Sequence, residues 1–252
     1  MLYLLKRHPF PIEADFGHSL VLTYAFPETL LQPLLPPGLI LDTHAGCGFL
    51  AIALVETQHL RPSFLPRALG LNFFLSGYRI FARIGSAAGA LRGLYILRSD
   101  TNRRLMQFGG NLLTHYKYSL CKAVLETGSQ TIRWSITTHN GEADLSVAAD
   151  LSTKPAPLPV TSPFADLKEA RRFAGPLPYT FNYEAQTKSI IAVQGVRRNW
   201  EPQPVSVHLD REPSFFNHPP FHVSEPRLAN AFHLQSVSYS WRQGRRIAVE
   251  AA

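Results

Sequence analysis

Short apolar blocks, broken by prolines and glycines, run along this chain, and most alternate with a period of two. After an arm punctuated by Pro9 and Pro11, residues 20–25 predict a strand and residues 27–35 a short helix. Pro27 stands where a helix tolerates it, Pro33 shortens or kinks the helix, and Pro36-Pro37-Gly38 stops it. Residues 39–42 and 48–58 predict two strands joined as a hairpin through Thr43-His44-Ala45-Gly46. In the second of these, Leu50, Ile52, Leu54, Glu56 and Gln58 share one face, and Phe49, Ala51, Ala53 and Val55 the other. Both faces are apolar for most of its length, which places the strand centrally in a sheet. Residues 71–84 predict another long strand, with Arg79 on an otherwise strongly apolar stretch.

The stretch 91–124 predicts strand, capped helix, break and strand. Ser99, Asp100 and Thr101 are N-cap candidates, and Gly109-Gly110 is the expected stop. Past Leu112 the period of two puts His115, Lys117, Ser119 and Cys121 on one face and Thr114, Tyr116, Tyr118 and Leu120 on the other. A row of His, Lys, Ser and Cys is either a solvent face or the wall of a polar pocket. Residues 132–138 and 144–149 predict a hairpin closed around Asn140-Gly141. A proline-rich connection (154–163), an amphipathic helix (164–173) ended by Gly175-Pro176, and strands at 177–183, 190–197, 205–209 and 232–241 complete the chain. The strands lack a strand–helix rhythm, which argues for an α+β class, mostly antiparallel and barrel-like, as one domain over residues 1–252.

At 252 residues, 45% apolar and 17% charged, the chain is of the globular kind. Its net charge of +7 comes from 19 Arg against six Lys. The Arg-Arg pairs at 103–104, 171–172, 197–198 and 245–246 are dispersed rather than gathered in a basic run, which argues for a small anionic ligand over nucleic acid. Two cysteines exclude a disulfide framework, and no apolar stretch approaches the length of a membrane span. The N-terminus lacks the order of a signal peptide, so a cytoplasmic location is expected, with homo-oligomerisation left open. No metal site is expected: His218 and His222 sit in a proline-rich loop without a helical frame. No cofactor is expected either, since nucleotide fingerprints and a nucleophile elbow are absent.

Four stretches together resemble the YqjF-like family of uncharacterised bacterial proteins, itself similar to the acetoacetate decarboxylase-like superfamily. They are the helix and turn at 30–39 with its Pro-Pro-Gly-Leu ending, the strand at 70–79, the Arg-rich helix and strand at 103–116, and Asn199-Trp200-Glu201-Pro202-Gln203-Pro204. The resemblance implies antiparallel sheets forming a cone or barrel, with a few short helices and a buried pocket. In the decarboxylases it also implies a lysine pair that forms a Schiff base with a keto acid, the nucleophile's pKa being lowered by its neighbour. Here the family's Phe-Pro-Lys-Lys falls on Leu113-Thr114-His115-Tyr116, and both lysines are missing. The Glu that YqjF-like proteins tend to carry on the central strand is Leu75 in this chain.

Lys117 is therefore the candidate nucleophile, against the reading of a solvated lysine, and His115 the candidate acid or base, against a structural histidine. Arg79, Arg104 and Tyr116 are candidate ligand-binding residues. Glu56, an odd charge on an apolar strand, either joins them or pairs with Arg79, because a buried Arg requires a partner. The function expected is a pocket protein that takes an anionic, keto-acid-type ligand without the usual Lys-Lys pair. The alternative is a non-catalytic binding module.

Overall fold

A computed structural model describes residues 2–85, 90–152, 155–175, 177–198 and 200–249. Lys154, Pro176 and Asn199, each part of a feature named above, lie outside the described residues. In chain order the strands are β1 (Ile12–Pro27), β2 (Ile40–Leu41), β3 (Cys47–Pro62), β4 (Leu71–Ile84), β5 (Leu91–Thr101), β6 (Tyr118–Thr127), β7 (Thr131–Thr138), β8 (Leu145–Asp150), β9 (Tyr179–Glu184), β10 (Ser189–Arg198), β11 (Gln203–Pro204), β12 (Ser206–Arg211), β13 (Arg227–Trp241) and β14 (Arg245–Ala248). Three short helices accompany them among the described residues: α1 (Glu28–Leu31), α2 (Arg104–Leu113) and α3 (Leu167–Ala174). None is long and apolar enough to cross a membrane.

The strands form one mixed, largely antiparallel sheet that closes on itself. β5, β9, β10, β13, β1, β3 and β4 follow one another as neighbours, and β4 pairs back onto β5. Among the described residues only the β5–β9 and β5–β6 pairings are parallel. From β5 the sheet continues through β6, β7, β8 and β12. That flank contributes Trp134, Ile136 and Val147 to the same core as Leu20, Leu22, Leu50, Ile52, Tyr78 and Ile80 of the ring. A strand such as β3 is thereby apolar on both faces for two different reasons: Leu50, Ile52 and Leu54 meet the flank, while Ala53 and Val55 face the ring's interior.

Several expected details differ. β2 pairs with β4 rather than β3, since Ile40 and Leu41 lie opposite Arg83 and Ala82, so residues 39–58 are not a hairpin. Ser99, Asp100 and Thr101 are buried residues of β5, not caps. α2 begins after an extended Arg103 that makes no side-chain cap. α2 also runs through Gly109-Gly110 to Leu113. A Cβ at Gly110 would stand 2.3 Å from the Tyr118 ring, so this glycine serves close packing rather than termination. Asn111 then holds the next strand: its amide donates to Tyr118 O at 2.9 Å and accepts from Tyr118 N at 2.7 Å.

Candidate functional site

The inner face of the ring does not fill completely. Small residues on β3 (Ala51, Ala53) lie across from aromatic ones on β13, and between them is a cavity of about 110 Å³. Its polar residues come from separate elements: Ser19 of β1, Ser76 and Arg79 of β4, Ser99 of β5, Thr180 of β9, Arg197 of β10, Trp200, and the tyrosines 116, 118 and 239.

Arg79 is the dominant group. Its guanidinium folds back along β4 over Gly77, where a Cβ would lie 2.6 Å from Nε. Burial pushes it below its ordinary pKa, and Arg197 adds to that push, while the surrounding tyrosines 239, 118 and 116 act the other way. No ion pair among the described residues includes Arg79, and its buried Nε has no hydrogen-bond partner. Three further buried polar atoms on the cavity wall are orphaned: Ser19 Oγ, Arg197 Nε and Trp200 Nε1. Such groups are expected to be satisfied, and these four belong to residues around one space, where a partner would return hydrogen bonds. Arg197 is otherwise fixed, stacking at 4.4 Å over Trp200 and 5.5 Å over Tyr239 and donating to Leu177 O. Tyr116 shares a 3.0 Å hydrogen bond with Thr180, and burial pushes its hydroxyl up to about 12, so it stays protonated at neutral pH.

Of the residues expected from sequence, Arg79 and Tyr116 line this cavity. The others stand elsewhere. Glu56 lies on the opposite face of β3, where Gln58 donates to it at 3.3 Å, and no Arg79–Glu56 pair forms. Arg104 is exposed at the start of α2. The alternation expected from Thr114 onward holds: Thr114, Tyr116 and Tyr118 are buried and Lys117 between them is exposed, so the tyrosine face is the inner one and the face carrying Lys117 is turned away from the cavity. Lys117 adopts a left-handed backbone (φ 54°) just before β6 begins at Tyr118. His115 is half-buried, its Nε2 3.9 Å from Glu184 Oε2. Burial lowers its pKa, with Glu184 opposing. It belongs to a second cluster in which Arg7 clamps the buried Glu184 carboxylate with bonds of 2.9 and 2.6 Å.

Sequence reasoning missed Ser19, Arg197 and Tyr239 as site residues. One signal was available: Arg197 shares with Arg79 the oddity of a cation following an apolar strand run. Trp200 was recognisable only as an aromatic of unspecified role.

A ring of this topology with its flanking sheet is the acetoacetate decarboxylase-like fold. The acetoacetate decarboxylase of Legionella pneumophila superposes with a TM-score of 0.63 at 12% identity, covering 97% of this chain and 90% of that one. An acetoacetate decarboxylase-like enzyme from Sphingomonas wittichii gives 0.62 at 13%, covering 98% and 96%. The enduracididine biosynthesis enzyme MppR complexed with pyruvate gives 0.59 at 10%, covering 96% and 92%. At such identities the likeness establishes the fold alone. The chain belongs to the DUF2071 family, described as an uncharacterized conserved protein (COG2071), which matches residues 13–235. No curated protein matches the sequence significantly.

Proposed function

We propose that this protein binds a small carboxylate of the keto-acid type in the ring's cavity. Arg79 and Arg197 supply the cations and Trp200 Nε1 a further donor. The observation that carries this reading is Arg79 itself, a half-buried guanidinium whose buried Nε has no hydrogen-bond partner and which has no carboxylate beside it among the described residues. An anion would return the hydrogen bonds and charge that burial removed. In this reading the hydroxyls of the lining tyrosines donate to a carbonyl oxygen of the ligand. Keto acids are the class suggested by the pyruvate bound to MppR and by the name of acetoacetate decarboxylase. No lysine among the described residues lines the cavity, and Lys117 is exposed, so the reading is one of non-covalent binding.

Calorimetric titration of pyruvate, acetoacetate and the neutral methyl pyruvate tests it. Binding is expected for the two anions, weaker binding for the ester, and a loss of at least about tenfold in Arg79→Met, as truncating one side of a buried charged contact gives. Equal affinity of wild type and Arg79→Met sinks the proposal. Borohydride treatment with either keto acid is expected to leave the protein mass unchanged. A reduced adduct on Lys117 would restore the imine mechanism.

A further inference from the structure

A second hollow adjoins the cavity. It is a surface cleft of about 410 Å³ bounded on one side by Pro157, Leu158 and Pro159 and on the other by Pro202, Pro204 and Val205, with Leu167 of α3 between. Prolines have no N–H, so these walls offer few hydrogen-bond donors, and their fixed backbone keeps the cleft open. The cleft and the cavity share a boundary: Ala174, Gly175 and Phe232 line both. Two of those three residues carry no side chain beyond Cβ, so the partition is thin. Among the described residues β10 pairs with β13 from Ser238 to Trp241 and β11 pairs with it at Phe232 and His233.

We propose that cavity and cleft are one channel, and that the natural ligand is an amphipathic carboxylate whose head meets Arg79 and whose apolar tail lies along the proline-lined cleft. This rests on the carboxylate reading and adds the ligand's other end. Continuity of the two spaces assigns the occupant: a molecule held by its head in the cavity and longer than a few atoms leaves through the Ala174–Phe232 partition into the cleft. Prolines, Leu158, Leu167 and Val205 give the cleft an apolar track for a tail, with Gln203, Asn230, Lys168 and Arg171 as its polar residues. Lys168 and Arg171, exposed on α3 at the cleft's mouth, would draw anions toward the entrance.

The test is a series of straight-chain carboxylates, from acetate through butanoate and hexanoate to octanoate, titrated into the full chain. The dissociation constant is expected to tighten roughly threefold per added methylene once the tail reaches the cleft. In Gln203→Trp, which places an indole in the cleft, the dependence on chain length is expected to flatten. In Arg79→Met the whole series weakens. An affinity independent of length in wild type, still lost in Arg79→Met, overturns the channel and leaves the head-group site standing. Octanoate binding undiminished by Arg79→Met overturns the assigned orientation. Failure of every carboxylate, keto acids included, removes the site reading as well. The wild-type series decides the question even if the tryptophan variant does not fold.

Discussion

Burying a guanidinium in an apolar barrel costs several kcal/mol unless its hydrogen bonds are returned. Arg79 makes this the central residue of the chain, and Gly77 is what lets it lie flat against β4. Its oddity was visible in the sequence, as a cation on an apolar strand. That Glu56 does not pair with it was not visible, because the two sit on neighbouring strands but opposite faces, and register decides that. His8 poses a related problem with a measurable consequence. Its imidazole is buried, Nδ1 lacks a partner, and burial lowers its pKa to about 4 from 6.5. As pH falls the unfolded chain therefore takes up the proton first. The contribution of neutral His8 is fully present above pH 6.5 and is lost progressively down to about pH 4, a loss on the order of 3 kcal/mol. His8 sits at φ 56°, a conformation Asn tolerates. Urea unfolding of His8→Asn is expected to show a shallower decline between those pH values than wild type.

At the scale of elements, the informative case is the passage from α2 into β6. Gly109-Gly110 reads as a helix stop because glycine usually ends helices, yet here Gly110 is the floor under Tyr118. The helix consequently runs on to Leu113, and the alternation beyond it keeps the expected faces, with Tyr116 and Tyr118 inward and Lys117 outward. Local propensity contains no term for a ring arriving from the next element. Strands whose two faces meet two cores were easier to read: β3 and β4 were expected at nearly their observed bounds. The flank of β6, β7, β8 and β12 is fastened to the ring by Trp134, which packs at 5.0 Å against Phe74. Trp134→Ala is expected to cost about 3–5 kcal/mol, the range for emptying a buried aromatic site, read as a lowered urea midpoint. Carboxylate affinity should change little, since Trp134 belongs to the core on the ring's other side.

Over the whole molecule, closure depends on contacts between residues far apart in the chain. β5 touches β9 in parallel across residues 93–95 and 179–181, and Arg7 reaches Glu184 near the end of β9. The N-terminal turn (Leu2–Arg7) is also held by His8 N donating to Leu113 O and by Gly244 N donating to His8 O, each at 3.0 Å. The hydrogen bonds from Arg7 hold the Glu184 carboxyl below the usual carboxylate range. That stability is present above the ordinary value of 4.5 and is lost as pH falls through the lower, folded value. Arg7→Met leaves a buried carboxylate without its main partner, for an expected loss of about 1–3 kcal/mol at neutral pH by urea denaturation. The gap to wild type should close in acid, where Glu184 is protonated in both.

By itself, the sequence determined the long strands, the antiparallel character, the proline-rich crossing and the presence of a misplaced cation on β4. Periodicity and turn chemistry are local, and they act before any partner strand is chosen. The tertiary structure alone decided which cations face inward and which face water. Ring closure brings Ser19, Arg79, Arg197 and Trp200 to one cavity from positions spread across the chain, and it turns the tyrosine face of residues 114–118 inward and the Lys117 face outward. Side-chain direction in a closed sheet depends on bulges, register and the residue that starts each strand, and these are settled only when distant segments pair.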